Sequence, residues 1–140
     1  MSYECNINQL KDYFLNDNNY YEDIATKKDT LTICFAEVIR KLWSQTYETS
    51  YAPVVFENKI SQMNPLFQGI QANDFKDLVL FIYENIHREL NNPSKNPNEI
   101  NFNNIPKELI QFRQNYYSQN YSIISEIFYY EHSNVVECQA

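Results

Sequence analysis

Glycine is almost absent from this chain, because Gly69 is the single one among 140 residues. Phosphate-cradling loops, dinucleotide-binding fingerprints and the sharp turn that carries the serine of many hydrolases all need several glycines at fixed spacing. None of these three kinds of site is therefore expected here.

Positive charge is also scarce, with 11 lysines and arginines against 18 aspartates and glutamates and a formal net charge of −7. Proteins that bind nucleic acid or anionic lipid need a basic face, so we expect neither as the main partner. No run of about 18 apolar residues occurs, so no membrane span is predicted. The negative charge suits a partner that is locally basic.

Cysteine is sparse and odd in number, with Cys5, Cys34 and Cys138 far apart in the sequence. This pattern favours reduced thiols inside the cell over a disulfide framework. The first ten residues, MSYECNINQL, lack the basic and then apolar pattern of a secretion signal. We therefore expect an intracellular protein, cytoplasmic or nuclear.

Apolar residues are plentiful, at 44% hydrophobic and 16% aromatic, which is typical of a folded domain. Apolar side chains spaced by three and four residues predict a helix over 30–45, with Asp29 as its N-cap and Trp43 widening a well-buried stripe. The residues of this stripe are Leu31, Cys34, Phe35, Val38 and Leu42. A similar stripe predicts a helix over 74–90, with Glu84 and Glu89 among the side chains expected to face solvent.

Proline and polar residues divide the rest of the chain. Pro53 is expected to open a helix that Asn64 and Pro65 stop, and Pro106 to open another that ends near 112 or 116. Short helical segments are predicted at 9–16 and 122–127, and a strand at 128–138. The ranges 16–29 and 66–73 are interpreted as loops, and 91–105 as a flexible loop rich in asparagine and proline.

Three phrases occur in an order that resembles the ubiquitin-specific proteases, a family of papain-like cysteine proteases. They are LKDYFLN with the following CFAEVIRKLW, then ISQMNPLFQGIQANDFKDLVLFIYENIHRELN, and finally FRQNYYSQNYSIISEIFYYEHSNVVEC. The resemblance implies a mainly α fold, part of the helical thumb half of a papain-like protease, with a C-terminal extended strand. Residues 1–140 would then form one partial catalytic domain of a deubiquitinase, which hydrolyses the bond at the C-terminus of ubiquitin.

The resemblance also implies that the bond-breaking groups are not in this chain. The family nucleophile lies in an Asn-x-Gly-Asn-x-Cys box, and Cys5 has neither the glycine nor the asparagines around it. Cys138 stands where many members begin a Cys-x-x-Cys, half of a four-cysteine zinc site, and one thiolate cannot hold zinc. We therefore expect no catalytic residue, no metal site and no cofactor here, with structural zinc conceivable only in a longer chain.

Asp74 and Asp77 match the acidic positions of the family's Gln-Gln-Asp box, which lies near the basic tail of bound ubiquitin. Spacing alone favours a simpler interpretation, since acids at a helix start cap it and offset its dipole. The resemblance favours a ubiquitin contact for Asp74 and leaves both interpretations open for Asp77. Ubiquitin or a ubiquitinated protein is the partner that follows.

The remaining candidates are given structural interpretations. His87 lies near the end of a predicted helix, and the matching family histidine is not the catalytic one. Cys34 lies on an apolar stripe and is expected to be buried, so a Cys34–His87 dyad has little support. A catalytically inactive relative that binds ubiquitin or scaffolds partners remains the alternative function, and an unrelated helical interaction domain is a third.

Overall fold

The computed structural model describes residues 3–43, 50–69, 74–95 and 106–128, with side chains from residue 7 onward and that of residue 108 excepted. Helices dominate this part of the chain. The α-helices are α1 (Tyr3–Leu15), α2 (Asp17–Asn19), α3 (Leu31–Leu42), α4 (Val54–Met63), α5 (Phe75–Leu90), α6 (Lys107–Tyr117) and α7 (Ile123–Phe128). A π-helical turn covers Tyr20–Ile24, and 3₁₀ turns cover Pro65–Phe67 and Pro93–Lys95.

Helix α3 lies at the centre of the fold and packs against α1, α4 and α5, while α7 closes the bundle against α1 and α5. The fully buried side chains of the core include Phe14 of α1, Leu31 of α3, Ile86 of α5 and Ile124 of α7. The ring of Phe14 meets that of Phe35 edge to face, with centroids 5.2 Å apart. Aromatic side chains thus fill the space between α1 and α3.

The mainly helical fold predicted from the sequence is confirmed. The helices predicted over 30–45, 53–64, 74–90, 106–116 and 122–127 correspond to α3 to α7. The strand predicted over 128–138 lies outside the described residues, except for Phe128, which ends α7. Among the described residues, no helix is both long enough and apolar enough to cross a membrane.

The prediction of a loop over 16–29 was wrong for its first half. Asn16 caps α2, because its side-chain oxygen accepts hydrogen bonds from the N–H groups of Asn18 and Asn19. The π-helical turn follows directly and buries Ile24 completely. The Arg40 guanidinium lies over the Tyr20 ring, 4.6 Å from its centroid. Contacts with α3 and with the core therefore hold this polar segment in a helical form.

The cap of α3 was also assigned to the wrong residue. Thr30 is the N-cap, with its hydroxyl oxygen accepting from the N–H of Ile33, while Asp29 adopts a left-handed φ of 61°. The Asp29 carboxylate instead forms an ion pair with Lys59 of α4, at 2.9 Å. At the other end of α3, Leu42 and Trp43 are 60% and 47% exposed, so the predicted buried stripe does not reach that end.

The segment predicted as a flexible loop over 91–105 is described only as far as Lys95. Asn91 donates its amide N–H to the carbonyl of Gln119 and accepts a hydrogen bond from the N–H of Tyr121. The N–H of Asn92 donates to the Tyr121 carbonyl at 2.8 Å. These bonds join the C-terminal end of α5 to the turn between α6 and α7.

Candidate functional site

The two acids singled out from the sequence lie at the start of α5, on the protein surface. Asp74 is the N-cap of this helix, and its Oδ1 accepts a hydrogen bond from the N–H of Lys76 at 2.9 Å. Asp77 lies in the first turn, and both carboxylates are solvent-exposed. The predicted capping by Asp74 is confirmed, and this bond uses one of its two carboxylate oxygens.

A groove of about 330 Å³ runs beside these acids, between the 3₁₀ turn Pro65–Phe67 and α5. Its lining residues are Asn64, Leu66, Phe67, Asp74, Asp77, Leu80, Phe81 and Glu84. Leu66 is 72% exposed and Leu80 is 47% exposed, so two apolar side chains on this surface are open to solvent. The lining contains three carboxylates and no lysine or arginine.

Asp74 also borders a second and larger groove, of about 730 Å³, between α4 and the start of α5. Glu57 adds a further carboxylate to this lining, and Phe75 beside Asp74 is 76% exposed. The apolar residues of this lining also include Ile60, Phe67 and Leu78. Asp74 and Phe67 are shared by both grooves, so the two form adjoining parts of one acidic and apolar surface.

Three contributors to this surface were not predicted from the sequence, namely Leu66, Leu80 and Glu84. Glu84 was treated as one of several solvent-facing residues of its helix. The signal was present, since Asp77, Leu80 and Glu84 are spaced by three and four residues and therefore lie on one face of α5. Leu66 belongs to the 3₁₀ turn and not to α5, so the spacing of residues along α5 could not predict that it lines the same groove.

His87 has a structural contact, as predicted from the sequence. Its Nδ1 lies 2.7 Å from the hydroxyl of Ser122, which is the buried residue directly before α7. Burial, assisted by the charge of the neighbouring Arg88, lowers the pKa of His87 below its ordinary value. The neutral imidazole is thus favoured in the folded chain.

Cys34 is buried within α3, as predicted for a small apolar residue. Burial, with the nearby Glu37 carboxylate, raises the pKa of its thiol. A cysteine nucleophile needs the opposite shift, since the thiolate is the reactive form. With His87 bonded to Ser122, the geometry gives no support to a Cys34–His87 dyad. Cys138 lies outside the described residues, and among those described no group of three potential metal ligands occurs.

A smaller cavity, of about 220 Å³, lies where α1, the π-helical turn and the start of α7 meet. Its polar groups bond to one another: the Tyr13 hydroxyl donates to Asp23 at 3.0 Å, and the Lys95 ammonium pairs with Asp23 at 2.6 Å. Burial first, and then the Asp23 charge, raises the pKa of Tyr13. This network fastens Lys95 to the π-helical turn.

The amino-acid sequence of this chain matches a known protein family. The family model for ubiquitin carboxyl-terminal hydrolases matches residues 3–140. The chain belongs to the ubiquitin carboxyl-terminal hydrolase family. The membership expected from the three sequence phrases is therefore confirmed, and the helices described above belong to a papain-like hydrolase fold.

Individual members of the ubiquitin carboxyl-terminal hydrolase family are similar over much of this chain. Putative ubiquitin carboxyl-terminal hydrolase 11 of Arabidopsis thaliana is 33% identical over 93 residues, which is 63% of this chain and 10% of that protein. Ubiquitin carboxyl-terminal hydrolase 15 of Bos taurus is 29% identical over 140 residues, 91% of this chain and 14% of that protein. The chain thus spans between a tenth and a seventh of the length of these relatives.

Proposed function

We propose that this chain supplies part of the ubiquitin-binding wall of a deubiquitinase, with Asp74 and Asp77 facing the basic C-terminal tail of ubiquitin. The whole enzyme would hydrolyse isopeptide or peptide bonds at that C-terminus through a thiolate and an acyl-enzyme. The role proposed for this chain is binding, because Cys34, the one cysteine whose side chain the structure describes, is buried and the pKa of its thiol is raised.

The observation that carries the proposal is the pair of exposed carboxylates at the start of α5, bordering two grooves with open apolar side chains. Carboxylates three residues apart lie on neighbouring positions of one helix face. A flexible basic tail laid across this turn would meet both charges, and the adjoining apolar side chains would contact its aliphatic parts. The helix start itself carries a partial positive charge, which the carboxylates offset.

The test is a titration of ubiquitin into the chain with Asp74→Asn and Asp77→Asn combined. Asparagine is as good an N-cap as aspartate, so the variant loses two charges and keeps the cap of α5. Exposed charge pairs contribute about 0.2–1 kcal/mol each, so two of them predict an affinity weaker by roughly 2- to 30-fold. The loss should diminish as the salt concentration rises.

The matched control is Asp12→Asn with Glu37→Gln, which removes the same charge from exposed positions on α1 and α3. Its affinity for ubiquitin should stay close to that of the unaltered chain, because only long-range charge is lost. Equal affinities of the two double variants would rule out the assignment of Asp74 and Asp77.

A further inference from the structure

The five residues that follow α5 form a strap beside the small cavity between α1, the π-helical turn and α7. The strap, residues 91–95, begins after Leu90 and includes the 3₁₀ turn Pro93–Lys95, and two of its residues line the cavity. None of its side chains is buried, whereas Leu90 directly before it is. Burial of apolar side chains is the main force that holds most segments of a folded chain in place. The attachment of the strap therefore depends largely on polar contacts.

The strap is attached at two places. At its start, the side chain of Asn91 and the backbone of Asn92 form three hydrogen bonds of 2.8 to 3.1 Å with the turn between α6 and α7. At its end, the Lys95 ammonium lies 2.6 Å from the carboxylate of Asp23 and 3.6 Å from that of Glu22. The first attachment consists of neutral hydrogen bonds and the second of ion pairs. Dissolved salt should therefore weaken the second attachment much more than the first.

The ion pair between Lys95 and Asp23 is the attachment that opens more easily. The Lys95 side chain is 43% exposed, so water and dissolved ions compete for its ammonium, and an exposed ion pair contributes less than three hydrogen bonds together. Asp23 is only 17% exposed, and a carboxylate left there without any partner would be costly. The Tyr13 hydroxyl, however, donates to its other oxygen at 3.0 Å. Asp23 thus keeps one partner when Lys95 moves away.

We propose that residues 91–95 open at Lys95 while they remain attached at Asn91 and while the helical bundle stays folded. Opening uncovers the cavity that Tyr13 and the buried Leu90 line, and closing joins the end of α5 to the π-helical turn. The charge of Lys95 controls the balance between the two forms. A high salt concentration or loss of this charge, as acetylation of the amine would cause, favours the open form. This device is separate from the proposed contact with ubiquitin.

Amide hydrogen exchange of the chain with Lys95→Met tests the strap, because exchange detects segments that open without unfolding of the whole molecule. Methionine is unbranched like lysine, so the variant loses the charge and keeps an apolar stem. The N–H of Lys95 bonds to the carbonyl of Asn92 within the strap. Loss of an exposed ion pair predicts that protection at position 95 falls roughly 1.5- to 5-fold, after correction for the intrinsic rate of each residue type. Protection of the Asn92 N–H should stay the same, and Lys95→Arg should retain protection at position 95.

The response to salt is a second readout, which separates the charge of Lys95 from the packing of its stem. In the unaltered chain, a rise to about 1 M salt should lower protection at position 95 by a similar factor. Lys95→Met should show no such response. The matched control is Lys59→Met, which removes a comparable ion pair, with Asp29 at 2.9 Å, and should leave the salt response of the strap in place.

Three results would overturn the strap. Unchanged protection at position 95 in Lys95→Met would show that the ion pair does not hold it. A salt response that persists in Lys95→Met would assign this response to another group. Protection at position 95 equal to that of the most protected core amides, in every variant, would show that the strap opens only when the whole bundle unfolds.

Discussion

At the scale of single residues, His87 shows how a titratable side chain serves the fold. Its ring nitrogen bonds to the hydroxyl of Ser122, and Ser122 in turn exchanges hydrogen bonds with Ser125 at the start of α7. The histidine therefore links α5 to the capping residues of α7. Burial favours the neutral imidazole, because a charged ring in this position would lack part of the hydration that it has in water.

This contact predicts a pH-dependent stability. The folded-state pKa of His87 lies below its ordinary value of 6.5, so the unfolded chain binds a proton first as the pH falls. The free energy of unfolding should thus be at its full value above about pH 6.5 and decline below it, until the folded state is protonated too. Urea denaturation at intervals between pH 5 and 7.5 measures the slope.

His87→Gln should flatten that slope. A slope that persists unchanged in the His87 variant would contradict the assignment of the titration to His87.

At the scale of helices, α3 is capped from another element. The carboxylate of Glu89, near the end of α5, accepts hydrogen bonds from the N–H of Leu31 at 3.0 Å and from the N–H and hydroxyl of Thr32 at 2.8 and 2.6 Å. The first N–H groups of a helix have no partner within it, and a negative charge there is favourable. Glu89 therefore joins the start of α3 to the end of α5.

Removal of this cap should destabilise the whole bundle. Glu89→Ala leaves the donors of buried Leu31 and Thr32 without their acceptor, and such a loss costs about 1–3 kcal/mol in the free energy of unfolding. Chemical denaturation measures the change. Glu84→Ala, on the exposed face of the same helix, is the control and should lie within about 0.5 kcal/mol of the unaltered chain. Equal effects of the two variants would show that the cap contributes nothing.

At the scale of the whole molecule, the described residues form a helical bundle, and Cys34 is the one cysteine whose side chain is described. Cys34 lies within α3, where burial raises the pKa of its thiol. The two grooves at the start of α5 lie beside exposed acids and apolar side chains instead. The proposed function accordingly assigns binding to this surface and assigns no bond cleavage to Cys34.

Ubiquitin with an electrophilic group at its C-terminus tests that expectation. We expect no covalent adduct at Cys34, because a thiol whose pKa is raised by burial has little thiolate to react with. Mass spectrometry measures the adduct. A rapidly formed adduct that disappears with Cys34→Ser would contradict the assignment of Cys34 as an inert core residue.

Features that depend on residues close together in the sequence were predictable, whereas features that depend on contacts between distant residues were not. Helices α3 and α5 were predictable because their apolar side chains recur with the helical period, and the cap at Asp74 because a side chain bonds the backbone two residues on. The helical form of 17–24 was not predictable in this way. Its sequence is polar, and what holds it is the burial of Ile24 and the distant Arg40.

The sequence alone determined the helical class, the family and the two acids at the start of α5, because periodicity, order of phrases and local capping are all written along the chain. Only the tertiary structure decided that Glu89 caps α3, that Leu66 meets Leu80, and that Glu84 belongs to the same groove as Asp77. The physical reason is that these relations join residues from different elements, or depend on which face of a helix stays uncovered. Both are settled by how the helices pack.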